Sequence, residues 1–332
     1  MSLIYLWPRG ASAPEARPSE GGVLDATVIR ETGARAPRLQ ARVHEARVRA
    51  LDFLALTKPR VVVMILATTM VGYYLGSAGT ADYVRLLHTL IGTGLAAAGT
   101  LALNQFLERE VDARMERTRL RPLPDGRLQP IEALAFGAAI TGAGVLYLIL
   151  AVGLLCGAVT AATVILYLFA YTPLKLRTSL CVVVGAIPGA LPPVTGWVAA
   201  RGELGVGAWV LFAILFLWQL PHTLAIARLY REDYARAGIR VLPVVDPEGT
   251  STERQIVTGC LALLAVGLLP TLIGLTGHVY FFGAFALGMF FLGCGMAQAL
   301  SRSVPAARRL LLASLLYLPT LLALMAIDKV KF

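Results

Sequence analysis

LLHTLIGTGLAAAGTLALNQFLEREVD, residues 86–112 of a 332-residue chain, is apolar for about six helical turns and then turns acidic. A hydrocarbon core of roughly 30 Å needs a run of about 20 apolar residues to cross it as a helix, because lipid offers no partner to an exposed peptide group. Leu86 to Leu107 meets that length, and eight further runs do so or come close: Val61 to Gly79, Ile131 to Leu154, Gly157 to Tyr171, Leu180 to Ala200, Val206 to Ala227, Ile256 to Leu275, Val279 to Leu300 and Leu310 to Ile327. The third and fourth come from one block, Ala133 to Tyr171, which is too long for a single crossing and is interrupted near Gly153 and Gly157. Composition agrees: hydrophobic residues make up 57% and charged residues 15%, against about half and a quarter in soluble domains. The expected fold is therefore an all-α membrane protein, a nine-transmembrane-helix bundle.

The arginines and lysines divide between the loops. One set holds the N-terminal arm, Arg109 to Arg127, Lys175 with Arg177, Arg228 to Arg254 and Arg302 to Arg309, all on one side of a nine-span bundle. The opposite loops hold little beyond Arg85, Arg201, Lys329 and Lys331. Short cytoplasmic loops carry the excess of basic residues, so the N-terminus and the charged loops are expected in the cytoplasm of a cell with this protein in its plasma membrane. The net charge of +10 then reads as topology and contact with anionic lipid, and nucleic acid is not an expected partner. Residues 1–50 are rich in Arg, Ala, Pro and Gly without sustained apolar periodicity, and are expected to be a disordered basic arm before a body spanning 51–332. Cys156, Cys181, Cys260 and Cys294 are too far apart for a zinc motif or a disulfide framework and read as packing residues.

Chemistry enters where charge interrupts the apolar pattern. Asn104, Glu108 and Asp112 are spaced four apart, so their side chains project from one helix face. Magnesium-like cations take oxygen ligands, keep several waters and are commonly held by one or two carboxylates plus substrate phosphates. The plainer alternative is a polar helix end neutralised by neighbouring arginines. Arg117, Arg119 and Arg121 follow closely, with Arg114 and Arg127 around them, and guanidinium forks suit phosphate oxygens. Together the two sets fit a metal diphosphate. The sixth span ends in a second polar group, with His222 eleven residues before Asp233. If the helix continues, His222 lies three turns deeper on nearly the same face as Asp233; its alternative reading is an interhelical hydrogen bond. Lys175 and Arg177 stand on a short loop expected on the same side, and Lys58 and Arg60 flank the first span as basic residues often do.

The stretch from Asn104 to Arg127 closely resembles the first signature of the heme O synthase (protoheme IX farnesyltransferase) family of the UbiA prenyltransferase superfamily. The resemblance continues through Thr57-Lys-Pro-Arg60, Tyr171-Thr-Pro-Leu-Lys-Leu-Arg-Thr178, the Gly185 to Trp197 stretch, Pro221-His222 and Asp233-Tyr-Ala-Arg-Ala-Gly-Ile239, and so covers the chain from about Leu51 onward. It implies a UbiA-type bundle around a cavity open toward the membrane. It also implies transfer of a farnesyl group from farnesyl diphosphate to the 2-vinyl group of heme b, giving heme O and diphosphate. On this resemblance Mg²⁺ is the cofactor, with Asn104, Glu108, Asp112 and Asp233 as its ligands. Arg117, Arg119, Arg121, Lys175 and Arg177 bind the diphosphate, and His222 replaces the first aspartate that quinone-type relatives carry, which turns it toward the porphyrin or a proton. A heme A synthase or a terminal oxidase assembly system becomes a partner. Three positions depart from the family: Cys181 for Asn, Thr223 after the histidine where an aromatic is usual, and Arg240-Val for Pro-Met. A quinone- or chlorophyll-precursor prenyltransferase, a transporter and a non-catalytic oxidase assembly factor remain as alternatives. A transporter would show inverted repeats with broken midplane helices, whereas the charges here gather at one face.

Overall fold

The computed structural model describes residues 44–330. The chain divides into Met1–Val48 and Arg49–Phe332. Of the first unit residues 44–48 are described, and they are helical. The disorder expected of residues 1–50 thus lies, up to residue 43, outside the described residues, and from 44 to 50 the backbone is helical instead. Arg and Ala, both strong helix formers, supply four of its seven residues. In the second unit the opening helix α1 (residues 49–56) seals Leu56 completely. Leu56 packs with Ala102, Leu123, Leu128 and Ala133, with Phe53 against the cluster.

The rest of this unit is a helical bundle. Its long elements are α2 (Pro59–Gly76), α3 (Tyr83–Asp112), α4 (Pro130–Ala151), α5 (Leu154–Ile165), α6 (Cys181–Ala190), α7 (Pro192–Arg201), α8 (Val206–Leu229), α9 (Arg231–Arg236), α10 (Thr250–Gly267), α11 (His278–Ser301) and α12 (Val304–Ile327). Among the described residues nine helical stretches are long and apolar enough to cross a membrane, one for each expected run. Their outward faces are apolar, with Leu150, Phe282 and Leu300 each more than two-thirds exposed. In a bilayer those faces meet acyl chains.

The departures from the expected limits have local causes. Asp82 accepts from the Arg85 amide and starts α3 three residues before Leu86, and the helix then runs past Leu107 to Asp112, carrying the acidic turn with it. Gly153, at φ 145°, breaks the block between the third and fourth spans in a conformation that L side chains rarely adopt. The fourth span continues from α5 through a π-helix, Leu166–Tyr171, and a final turn, Thr172–Leu174. The fifth is divided at Leu191 before Pro192 and Pro193, whose missing amide hydrogens interrupt the helical ladder.

Helices in lipid gain nothing from hiding apolar surface from one another, so close association rests on small residues and van der Waals contact. The crossing of α2 with α7 shows how close: a Cβ added at Gly72 would lie 2.0 Å from the Pro193 carbonyl oxygen, and one at Gly196 would lie 1.9 Å from that of Thr69. Both lie far inside contact distance. Gly196→Val is therefore expected to destabilise the bundle by at least about 1–3 kcal/mol through overpacking. Gly142→Val, where an added Cβ meets nothing within 4 Å, should leave it unchanged. Thermal unfolding of both variants in one detergent measures the difference; equal melting temperatures would reject the crossing.

Candidate active site

The polar end of α3 faces the end of the fourth span. Asn104, 1% exposed, donates through Nδ2 to Thr172 Oγ1 at 3.1 Å, and Thr172 in turn donates to the Tyr167 carbonyl at 2.9 Å. That second bond spans five residues, as the π-helix does, and π-bulges recur at functional sites. Its effect here is local: the wide turn sets Thr172 opposite Asn104. One α-helical turn farther along α3, Glu108 accepts from Lys175 Nζ at 2.5 Å, with both side chains less than one-fifth exposed. Lys175 Nζ also lies 4.3 Å from the centre of the Tyr171 ring. Loss of hydration works to lower this ammonium, but the oxygens of Tyr171 and Glu108 outweigh it and hold Lys175 above the usual lysine range.

Asp112, 1% exposed, closes the row. Its Oδ2 accepts from Arg121 Nη1 at 2.5 Å, and its carbonyl accepts from Thr118 Oγ1 at 2.8 Å. The three oxygens-bearing side chains expected on one face thus do share it, and the arginine-rich loop folds back onto them. The loop is pinned elsewhere too. Met115 is buried in a cluster with Cys181, Leu220 and Ile239, and the Arg117 guanidinium lies 5.1 Å from the centre of the Tyr230 ring. Arg119 points away, pairing with Glu116 on the surface, and Arg177 is exposed. Of the five diphosphate candidates, Lys175 and Arg121 therefore touch the acidic row directly, and Arg117 is held beside the end of α8.

The second acidic segment is placed by a break. α8 ends at Leu229, Tyr230 takes φ −112° and ψ 28°, and α9 starts a new short helix. His222 and Asp233 consequently do not share a helix face, contrary to the expectation for a continuous helix. Asp233 is buried and pairs with Arg236. Beyond it, the Arg240 amide donates to the Lys175 carbonyl at 2.8 Å, which ties this segment to the lysine loop. His222 instead faces α12, its Nδ1 2.7 Å from Ser314 Oγ, so the interhelical hydrogen bond is present.

Among the described residues no three His, Cys, Asp or Glu side chains gather closely enough to hold a metal by themselves; Asp233 in particular does not join Glu108 and Asp112. A cavity of about 310 Å³ opens beside the row, lined by the polar Glu108, Thr172 and Lys175 and by apolar residues that include Leu107, Leu168 and Phe169. Lys58, at the start of α2, is the site residue whose reading changes most. Loss of hydration first and Arg121 second push its ammonium down to about 7, against the pull of Glu108. In sequence it is one more flanking base; only its neighbours distinguish it.

The profile of the UbiA prenyltransferase family matches residues 65–322. A protoheme IX farnesyltransferase from Solibacter usitatus is 52% identical over 287 residues, covering 84% of this chain and 98% of the relative. One of the same name from Koribacter versatilis is 44% identical over 288 residues, covering 84% and 93%. Among solved structures, one from work on digeranylgeranylglyceryl phosphate synthase superposes with a TM-score of 0.73 at 15% identity, covering 85% of this chain and 99% of that one. A UbiA homolog from Archaeoglobus fulgidus bound to GPP and Mg²⁺ gives 0.57 at 16%, covering 82% and 99%. At such identities the structural matches speak for the fold.

The Glu108–Lys175 pair can be tested on stability alone. Removing one partner of a buried pair strands the other charge, at a cost of about 3–5 kcal/mol, whereas replacing both is often close to neutral. Lys175→Met is expected to lose that much, and Glu108→Gln with Lys175→Met to recover most of it without recovering activity. A double-mutant cycle by thermal unfolding reads the coupling; additive losses would mean the pair is not formed.

Proposed function

The chain belongs to the UbiA prenyltransferase family, and on that premise we propose that the row on α3 activates farnesyl diphosphate for transfer to the 2-vinyl group of heme b. The protein is a multi-pass membrane enzyme. Its reaction joins the vinyl terminus to C1 of the farnesyl group as the C1–oxygen bond breaks; water adds to the resulting cation, a proton is lost, and heme O and diphosphate leave. The observation that carries the reading is the pairing of largely buried acids with bases, Glu108 with Lys175 and Asp112 with Arg121, beside a cavity lined by Glu108, Thr172 and Lys175 and otherwise by apolar residues.

The donor set fits Mg²⁺. Two carboxylates and the amide oxygen of Asn104 are hard ligands, and the lack of a third carboxylate suits an ion that completes its shell with water and diphosphate oxygens. When bound, Mg²⁺ withdraws negative charge from the leaving diphosphate. The chain's own part is an exchange of partners. Glu108 and Asp112 would hold the cation, and Lys175 and Arg121, which pair with them here, would bind the diphosphate oxygens, so that neither acid nor base would be left unpaired in the low-dielectric mouth. Lys58 adds a third cation. Arg117, held over the Tyr230 ring at the end of α8, is a further cation for the same anion, while Arg119 and Arg177, both exposed, serve its approach. Asp233, on the segment tied to the lysine loop by the Arg240–Lys175 hydrogen bond, would contribute to the cation only with the donor bound, since it does not join Glu108 and Asp112 by itself. The apolar lining excludes water from the cationic prenyl carbon until the new bond has formed.

Orientation follows the basic loops: we place the site at the cytoplasmic face of a bacterial plasma membrane, residues 51–332 as the catalytic body, and residues 1–50 as its arm. Heme O so made would pass to a heme A synthase or a terminal oxidase.

Purified protein given heme b, farnesyl diphosphate and Mg²⁺ is expected to yield heme O by mass analysis of extracted heme. Glu108→Gln and Asp112→Asn should each lower turnover by about a hundredfold or more; wild-type rates in both would return the row to a plain polar helix end. Lys58 makes a pH prediction. It binds the donor as a cation, present below its pKa of about 7 and lost as pH rises through it, so kcat/KM for farnesyl diphosphate is expected to fall above about pH 7. Lys58→Arg, which stays charged, should move that fall to higher pH.

A further inference from the structure

His222 is an ionisable side chain inside a membrane span, a placement that is costly unless it serves a site. The acidic row does not use it. It is seven residues, about 10 Å, below the end of α8, a depth close to that of Asn104 below the end of α3, eight residues or about 12 Å.

Its surroundings settle its tautomer. Ser314 Oγ, fully buried, gives its one hydrogen to the Leu311 carbonyl at 2.6 Å. Toward His222 it is therefore an acceptor, and Nδ1, 2.7 Å away, carries the ring proton. The Nε2 lone pair is what remains. It has no hydrogen-bond partner among the described residues, and unlike the Tyr317 hydroxyl it is not sealed inside the protein. The ring plane is held as well. Trp218, one turn earlier on α8, stacks on the imidazole with centroids 4.6 Å apart and planes 19° from parallel, and its Nε1 donates to the Ser314 carbonyl at 2.9 Å. Two side chains of α8 thus grip one residue of α12, by its hydroxyl and by its carbonyl.

A neutral imidazole with Nδ1–H on an acceptor and a free Nε2 is the arrangement of a metal-ligating histidine with its outer-shell partner in place. Its softness suits iron in a porphyrin, whereas Mg²⁺ prefers oxygen. We propose that His222 Nε2 ligates the iron of the heme acceptor, and that Ser314 and Trp218 are positioning residues that fix its tautomer and plane. This rests on the reading of heme b as acceptor. Ligation fixes the porphyrin at its centre and so sets its depth relative to the donor; the imidazole itself makes and breaks no carbon bond.

Full-length protein in lipid nanodiscs, titrated with heme b without donor, supplies the test. The reduced wild-type complex is expected to show an iron–histidine stretching band by resonance Raman spectroscopy. His222→Ala should lose the band and regain one with added imidazole. Ser314→Ala should keep it at lower frequency, because Nδ1–H loses its acceptor, and bind heme about tenfold more weakly. An unchanged band in His222→Ala, or an unmoved one in Ser314→Ala should the first variant not fold, overturns the ligation. Farnesyl diphosphate and Mg²⁺ added to the same wild-type preparation separate the two ideas. Heme O formed with variant spectra unmoved rejects the ligation alone, and wild type that makes no heme O rejects the acceptor.

Discussion

A charge cannot stand alone in the low-dielectric end of a membrane bundle, and most of the organisation of this protein follows from that cost. Each buried carboxylate of the acidic segments has a cation of its own: Lys175 for Glu108, Arg121 for Asp112, Arg236 for Asp233. Because Lys175 and Arg121 sit on loops, neutralising Glu108 and Asp112 also folds the loops. The Arg121 contact brings the 113–129 segment back over the end of α3, and the Lys175 contact holds the turn after the fourth span. In the proposed reaction the same pairs supply the chemistry, since a carboxylate and a cationic side chain that neutralise each other can be parted at small net cost by a ligand carrying both a cation and an anion.

Irregular backbone brings the partners to each other. A straight α-helix through the fourth span would rotate Thr172 away from Asn104, and the π-helix restores that contact. The break at Tyr230 turns Asp233 away from the line of His222, so that one span feeds two different tasks: an acidic segment at the surface and a neutral imidazole in the interior. Glycines set the packing of the helices themselves. At the crossing of α2 and α7 the backbones come so close that no side chain fits, and the central helices are thereby fixed while their ends carry function.

Two donor chemistries are kept apart. Oxygens line the mouth, where a hard cation and diphosphate belong; nitrogen stands deeper, in a ring already provided with its acceptor and its stacking partner. His222, read from the chain as standing in for an aspartate and turned toward the porphyrin or a proton, lies in the structure off the helix face of Asp233 and bonds Ser314.

Much of this was legible in the order of residues. Nine apolar runs determined the nine helical stretches among the described residues that are long and apolar enough to cross a membrane, because hydrocarbon thickness imposes a length that can be counted, and a spacing of four placed Asn104, Glu108 and Asp112 on one face, because helical periodicity is local. Charge asymmetry marked one end of the bundle for the same reason. Which base meets which acid was not legible: five arginines follow Asp112 between residues 113 and 127, and only the folded loop selects Arg121 for Asp112 and turns Arg119 to the surface. Lys58 looked like any basic residue before a first span, and Ser314 like any small residue in a last one. Their roles depend on neighbours 50 and 92 residues away, Glu108 and His222, and contacts at that separation are decided by packing between helices, which no local pattern encodes.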